Sequence, residues 1–231
     1  MTRRVAVLLG LLAAAPANTN AQSTIDEGTF RLMSGGREIG TETFSIRQQG
    51  TGPEAVIIAR GRIVHHEGPD REITSTLQVS GEALRPSAYD LKVEGQESQQ
   101  ILARMAGTRF STRVVTSQGE RAREYLVSEG ALVAEEGVAH HHYFLAARAE
   151  AGRSVQVPII VPLQGGQVMA TVTAGSPQSI RVADQSVSAR PVDVTVENGV
   201  DRRVWIDGEG RVLRLEIPSR SLVAERTELP E

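Results

Sequence analysis

"GTFRLMSGGREIGTETFSIRQ", residues 28–48, decides the fold class of this chain. Phe30 and Leu32 alternate with polar residues before Ser34-Gly35-Gly36, and Phe44 and Ile46 alternate after it. Period-two hydrophobicity on both sides of a glycine-bearing turn is the pattern of an antiparallel hairpin with one dry face.

The pattern continues outward. In residues 54–80, "EAVIIARGRIVHHEGPDREITSTLQVS", Ile57, Ala59, Ile63 and His65 share one parity. Ile73, Leu77 and Val79 share one face of the returning strand, and Glu67-Gly68-Pro69-Asp70 supplies the turn between them. Residues 82–128 read as more meander, with turns near 94–96, at Ala106-Gly107 and at Gln118-Gly119. Further on, Gly165-Gly166 and Asp207-Gly208-Glu209-Gly210 mark two more hairpins. Pro158 and Pro162 remove ladder donors and place their strand at an edge or bulge. Long strands with one apolar face predict a mainly β protein: a single antiparallel curved sheet or half-barrel, since a flat sheet would leave that face wet.

The period changes at "VAHHHYFLAA", residues 138–147. At 100° per residue, Val138, His142, Leu145, Ala146 and Ala149 fall on one side, and His140, His141, Phe144 and Arg148 on the other. Gly152 follows as a C-terminal stop. The expectation is one α-helix, about 138–150, whose aliphatic stripe covers the concave sheet. On that reading His142 is a hydrogen-bonded interior histidine, while His140 and His141 are solvated.

The first residues have the parts of a secretory signal peptide: Arg3 and Arg4, an apolar run from Val5 to Ala15, and a small-residue cleavage site ending at Ala21. The expected organisation is therefore a signal peptide over 1–21 and a single β half-barrel domain over 22–231, periplasmic or secreted. The apolar run is shorter than the roughly 20 residues a membrane-spanning helix needs, and no later run is longer, so no transmembrane segment is expected after signal removal. The absence of cysteine excludes a lipoprotein anchor, disulfides, thiolate zinc sites and a cysteine nucleophile. A net charge of −3, from 25 basic and 28 acidic residues interspersed along the chain, describes a solvated surface and argues against a nucleic-acid partner. Aromatics are only 3% of the chain, so base-stacking platforms are poorly supplied and the core must be aliphatic.

Little of the chain looks like chemistry. Two metal ligands from one helix need i,i+3 or i,i+4 spacing, and adjacent histidines diverge. A zinc site would have to join His142 to His65 with a carboxylate from elsewhere, which is the basis of an alternative reading as a metal-dependent hydrolase. There is no G-x-S-x-G elbow and no phosphate loop, and no cofactor is expected. The leading expectation is a non-catalytic protein that binds a lipid, another hydrophobic small molecule or an envelope component in the concave sheet. Phe44, Ile57, Leu77, Tyr125 and His142 form the expected ligand-binding face. A structural partner of other envelope proteins is the remaining alternative.

The order of elements carries a resemblance. The opening hairpin quoted above, the strand containing "LRPSAYDL" (84–91), the one mid-chain helix and the closing "VWIDGEGRVLRLEI" (204–217) resemble uncharacterised bacterial envelope proteins. Their curved half-barrel is similar to that of the periplasmic lipoprotein carriers and their outer-membrane receptors. The resemblance implies an incomplete antiparallel barrel whose apolar concave face accepts a lipid chain, with the helix as plug or lid. It implies no catalytic residue.

Overall fold

A computed structural model describes residues 22–66, 68 and 71–231. The expected signal peptide lies outside the described residues, as do Glu67, Pro69 and Asp70 of the expected turn.

Over the described residues the protein is mainly β, one open curved sheet with a single short α-helix. The first half is a meander in which each strand pairs with the next: β1 (Gln22–Ser34), β2 (Arg37–Gln49), β3 (Val56–His65), β4 (Arg71–Ser80), β5 (Arg85–Gly95), β6 (Gln99–Ala106), β7 (Arg109–Thr116) and β8 (Gly119–Leu126). Gly35 and Gly36 both have positive φ, 55° and 82°, which lets a two-residue turn match the twist of β1 and β2. The second half holds β9 (Leu132–Val133), β10 (Ser154–Val161), β11 (Gly166–Ala174), β12 (Gln178–Val182), β13 (Gln185–Val196), β14 (Arg202–Ile206), β15 (Val212–Ile217) and β16 (Leu222–Arg226). Along the sheet the order is β8-β7-β6-β5-β4-β3-β2-β1-β16-β15-β14-β13-β11-β10-β9, with β12 hanging off β13. Only the β9 to β10 pairing of named strands is parallel. Pro158 sits in β10, whose pairing with β9 is confined to Ile159 and Ile160, so its missing N–H interrupts no ladder there.

β1 and β16 are neighbours although about 200 positions separate their residues, Phe30 lying opposite Arg226. Arg226 stitches this seam from inside. Its Nη2 donates to both oxygens of Asp26 at 2.6 and 2.5 Å, Nη1 donates to the Glu27 carbonyl at 3.0 Å, and Nε donates to the Val212 carbonyl at 2.6 Å. The guanidinium also lies over the rings of Phe30 and Phe44, 5.4 and 5.0 Å from their centroids. Gly28 makes room for it: a Cβ there would stand 2.7 Å from Nη1. Burial holds the Asp26 carboxyl above its ordinary pKa even though Arg226 pulls the other way.

One apolar cluster spans both halves, from Phe30, Leu77 and Leu91 to Ile159, Val192 and Leu215. A sheet of this many strands encloses more room than its own inward side chains fill. The chain between β8 and β10 fills it. Val138, Ala139, Phe144, Leu145 and Ala146 are all buried, and each large one among them contributes about 1.5–3 kcal/mol by leaving water. Where this segment leaves β8, Ser128 and the Gln167 side chain exchange hydrogen bonds at 2.7 and 2.9 Å, tying the start of the plug to β11.

The covering helix differs from its sequence expectation in length. It is a 3-10 turn over Ala139–His141 followed by the five-residue α1 (His142–Ala146), not a helix running to 150. His140 and His141 are buried with His142, which corrects the expectation that they are solvated. The 100° projection assumes a helix with one wet face. This segment starts as a tighter 3-10 turn, and of residues 139–146 all but half-buried Tyr143 are buried, so three consecutive histidines have no wet face to share.

Candidate functional site

The plug is held by a carboxylate from the wall. Glu42 points inward from β2 and is fully buried. It accepts the Ala139 N–H at 2.7 Å, the His140 N–H at 2.9 Å and the His140 Nδ1–H at 2.7 Å. The first N–H groups of a helical turn have no partner within the turn, and Val138 offers no side-chain cap, so Glu42 caps it from a distant strand. The His140 ring then stacks on Phe44, with centroids 5.8 Å apart and planes 7° apart. It lies over Gly61 of β3, where a Cβ would come within 2.3 Å of its Cε1. Glycine inside a strand here is a ring-sized recess.

The other two histidines are fixed by the chain around them. His141 Nδ1 accepts the Glu135 N–H at 3.3 Å, and its ring meets Tyr89 edge-on at 5.6 Å. His142 Nδ1 donates to the Val138 and Ala139 carbonyls at 3.2 Å, and its Nε2 faces Arg202 Nη1 at 3.3 Å, an arginine donor. Burial, then the Arg202 charge, drives the His142 pKa down to about 3, and burial drives that of His141 well below the ordinary value. Both rings are therefore neutral at physiological pH.

These bonds decide the metal alternative. The lone pair of His142 faces an arginine and its other nitrogen carries the proton, so nothing is left for a metal ion. Among the described residues no group of three or more histidine, aspartate or glutamate side chains is placed to hold one. His65 lies elsewhere, at the end of β3 on the rim. The arrangement does not support a hydrolase built on His65 and His142.

At the rim the plug does not fill the trough. A cavity of about 380 Å³ opens between the plug residues Glu135 to Ala139 and the concave wall. Leu32, Ile73, Leu91 and Leu215 line the wall side, and Leu163 closes it from the turn after β10. Its polar edge carries His65, Arg71, Glu135, Glu136 and Arg220. Glu136 is paired with Arg220 at 2.5 Å. Glu135 accepts the Leu163 N–H at 2.7 Å, and burial, outweighing that bond, raises its pKa to about 7.

The five residues expected from sequence to face a ligand are not gathered at this cavity. Phe44 and Leu77 are buried side chains of β2 and β4, and His142 is buried within the plug itself. Ile57 is half-buried near the opposite end of β3, and Tyr125 is half-buried on β8, its ring 5.3 Å from that of Phe110. What sequence reasoning missed is Glu42, Glu135 and the rim. The one available signal was Glu42 itself, an acidic residue at an inward position between Gly40 and Phe44 in the opening hairpin.

No family model and no curated protein matches the chain. Among solved structures, the crystal structure of a beta-barrel-like protein of domain of unknown function DUF1849 from Brucella abortus is similar to it, with a TM-score of 0.53 and 12% sequence identity over 86% of this chain and 94% of that one. At that identity the likeness is one of fold, and it agrees with a curved, barrel-like sheet.

Proposed function

We propose that this is a non-catalytic binding protein for a lipid chain or similar hydrophobic molecule, acting outside the cytoplasm, with the cavity at the rim of the plug as its binding site. The observation that carries the reading is the cavity itself: about 380 Å³, aliphatic on its walls and polar along one edge. That size lies at the small end of the roughly 300–1,000 Å³ usual for ligand pockets. The extracytoplasmic placement rests on the signal-peptide pattern of residues 1–21. Phe44 and Leu77 belong to the same proposal only as the deeper floor that a longer ligand reaches by lifting the plug, and His142 only as a residue of that plug.

The test is extraction of the purified protein followed by mass spectrometry, together with thermal unfolding in the presence of alkyl ligands. Bound lipid in the extract, or a ligand-dependent rise in Tm, supports the reading. Leu222→Trp, which fills the cavity from a half-buried wall position, should abolish that rise. An empty extract combined with no shift from any alkyl ligand would remove it.

A further inference from the structure

We infer that the rim cavity selects amphiphiles with an anionic head, a carboxylate or a phosphate monoester on a single alkyl chain, and that Arg71 is the residue that receives the head. The inference rests on the proposed ligand-binding role of that cavity and adds the ligand's charge.

The argument begins with a row across the sheet. Gly40, His65, Arg71 and Gly95 stand opposite one another on β2, β3, β4 and β5. His65 and Arg71 share the inward parity of Ile63 and Ile73, and both line the cavity. Glycine flanks the pair on both neighbouring strands, so no other side chain stands directly beside either of them in that row. Arg71 is exposed, and among the described residues no carboxylate lies within ion-pair distance of it.

The other charges at the edge do not cancel it. Glu136 is already held by Arg220, and Glu135 is bonded to the Leu163 N–H, with burial holding its proton to higher pH than an ordinary carboxyl. Of the two arginines on this edge Arg220 is paired with Glu136, so the Arg71 guanidinium is the charge left without a carboxylate partner among the described residues, beside an apolar wall. His65, whose pKa is lowered by burial and then by the Arg71 charge, is a neutral ring able to donate a hydrogen bond to the same head. A guanidinium matches carboxylate and phosphate oxygens in a two-pronged geometry that a neutral alcohol cannot use. An ammonium head would be repelled.

The experiment is isothermal titration of the full-length protein with decanoate, decyl phosphate, 1-decanol and decylamine below their aggregation limits, repeated with Arg71→Gln and Arg71→Glu. Anions binding at least about tenfold tighter than the alcohol, with that preference lost in both variants while alcohol affinity changes less than about twofold, is the expected result. Which anion binds tighter separates a free fatty acid from a phosphate-headed lipid, and either order supports the inference. Equal binding of all four probes, or a preference for the amine, overturns the anionic assignment but leaves the cavity as a hydrophobic site. A preference for anions that persists in Arg71→Gln overturns the role of Arg71. Failure of all four probes to bind defeats the inference together with the ligand-binding reading beneath it.

Discussion

Glu42 shows how much one side chain can organise. Its carboxylate takes three N–H donors, two of them backbone groups that no other atom is placed to receive. Removing it strands buried donors at about 1–3 kcal/mol each, so Glu42→Ala should lower unfolding free energy by at least about 3 kcal/mol. Glu42→Gln keeps one good acceptor and should lose less. Denaturant midpoints at constant m-value give the comparison; a loss under about 1 kcal/mol for Glu42→Ala would mean that the plug is anchored elsewhere. The opening hairpin displayed Glu42 plainly, but sequence reading had no reason to pair it with residues 139 and 140. The connection crosses nearly a hundred positions, and neither partner group is a side chain whose type betrays it, apart from one ring nitrogen.

At the scale of elements, the strands and the covering helix were legible, and the helix's length and the way it is anchored were not. Alternation survives because each strand of β1 to β7 has one face toward the interior, as the burial of Ile73, Ser75, Leu77 and Val79 along β4 illustrates. The helical segment is stabilised by its surroundings, so its length answers to the space available and to Glu42 rather than to propensity. Its docking should respond to pH through Glu135, which joins the plug to the turn after β10. Burial raises that carboxyl from an ordinary 4.5 to about 7, so the folded protein holds the proton more tightly than the unfolded chain does. The stability from this group is fully present below about pH 4.5 and is lost as pH rises through 7. His142, with its pKa depressed to about 3, acts in the opposite sense, losing stability as pH falls from 6.5 toward 3. Comparison with Glu135→Gln cancels the histidine contribution. Relative to that variant, the native chain should lose about 3 kcal/mol between pH 4.5 and pH 8, read from unfolding curves at both pH values. A constant difference across that range would refute the assignment.

The whole molecule depends on a long-range seam. β1 must find β16, and Arg226 brings the only opposite charge that meets buried Asp26 within hydrogen-bond reach among the described residues. Truncation after Ile217 removes both the strand and the arginine. The expected outcome is loss of cooperative unfolding, followed by Trp205 fluorescence and far-ultraviolet circular dichroism, since a buried carboxylate without its partner adds about 3–5 kcal/mol of penalty to the lost strand. A truncated chain that still melts in one sharp transition would show the seam to be dispensable. The curvature of the sheet was legible in the sequence because its inward residues are too apolar to stay wet. The order of its strands was not: period-two patterns say that strands exist and nothing about which distant pair closes the gap.

That order has a consequence for a chain that enters its compartment from the N-terminus onward. The meander from β1 to β8 can assemble strand by strand as it emerges, each new hairpin zipping onto the last. The outer edge of β1 has to wait until residues 222–226 have arrived, leaving its backbone donors and acceptors open beside an apolar face until then. A partly delivered chain is therefore the sticky form, and a holdase that masks one strand edge would protect it best.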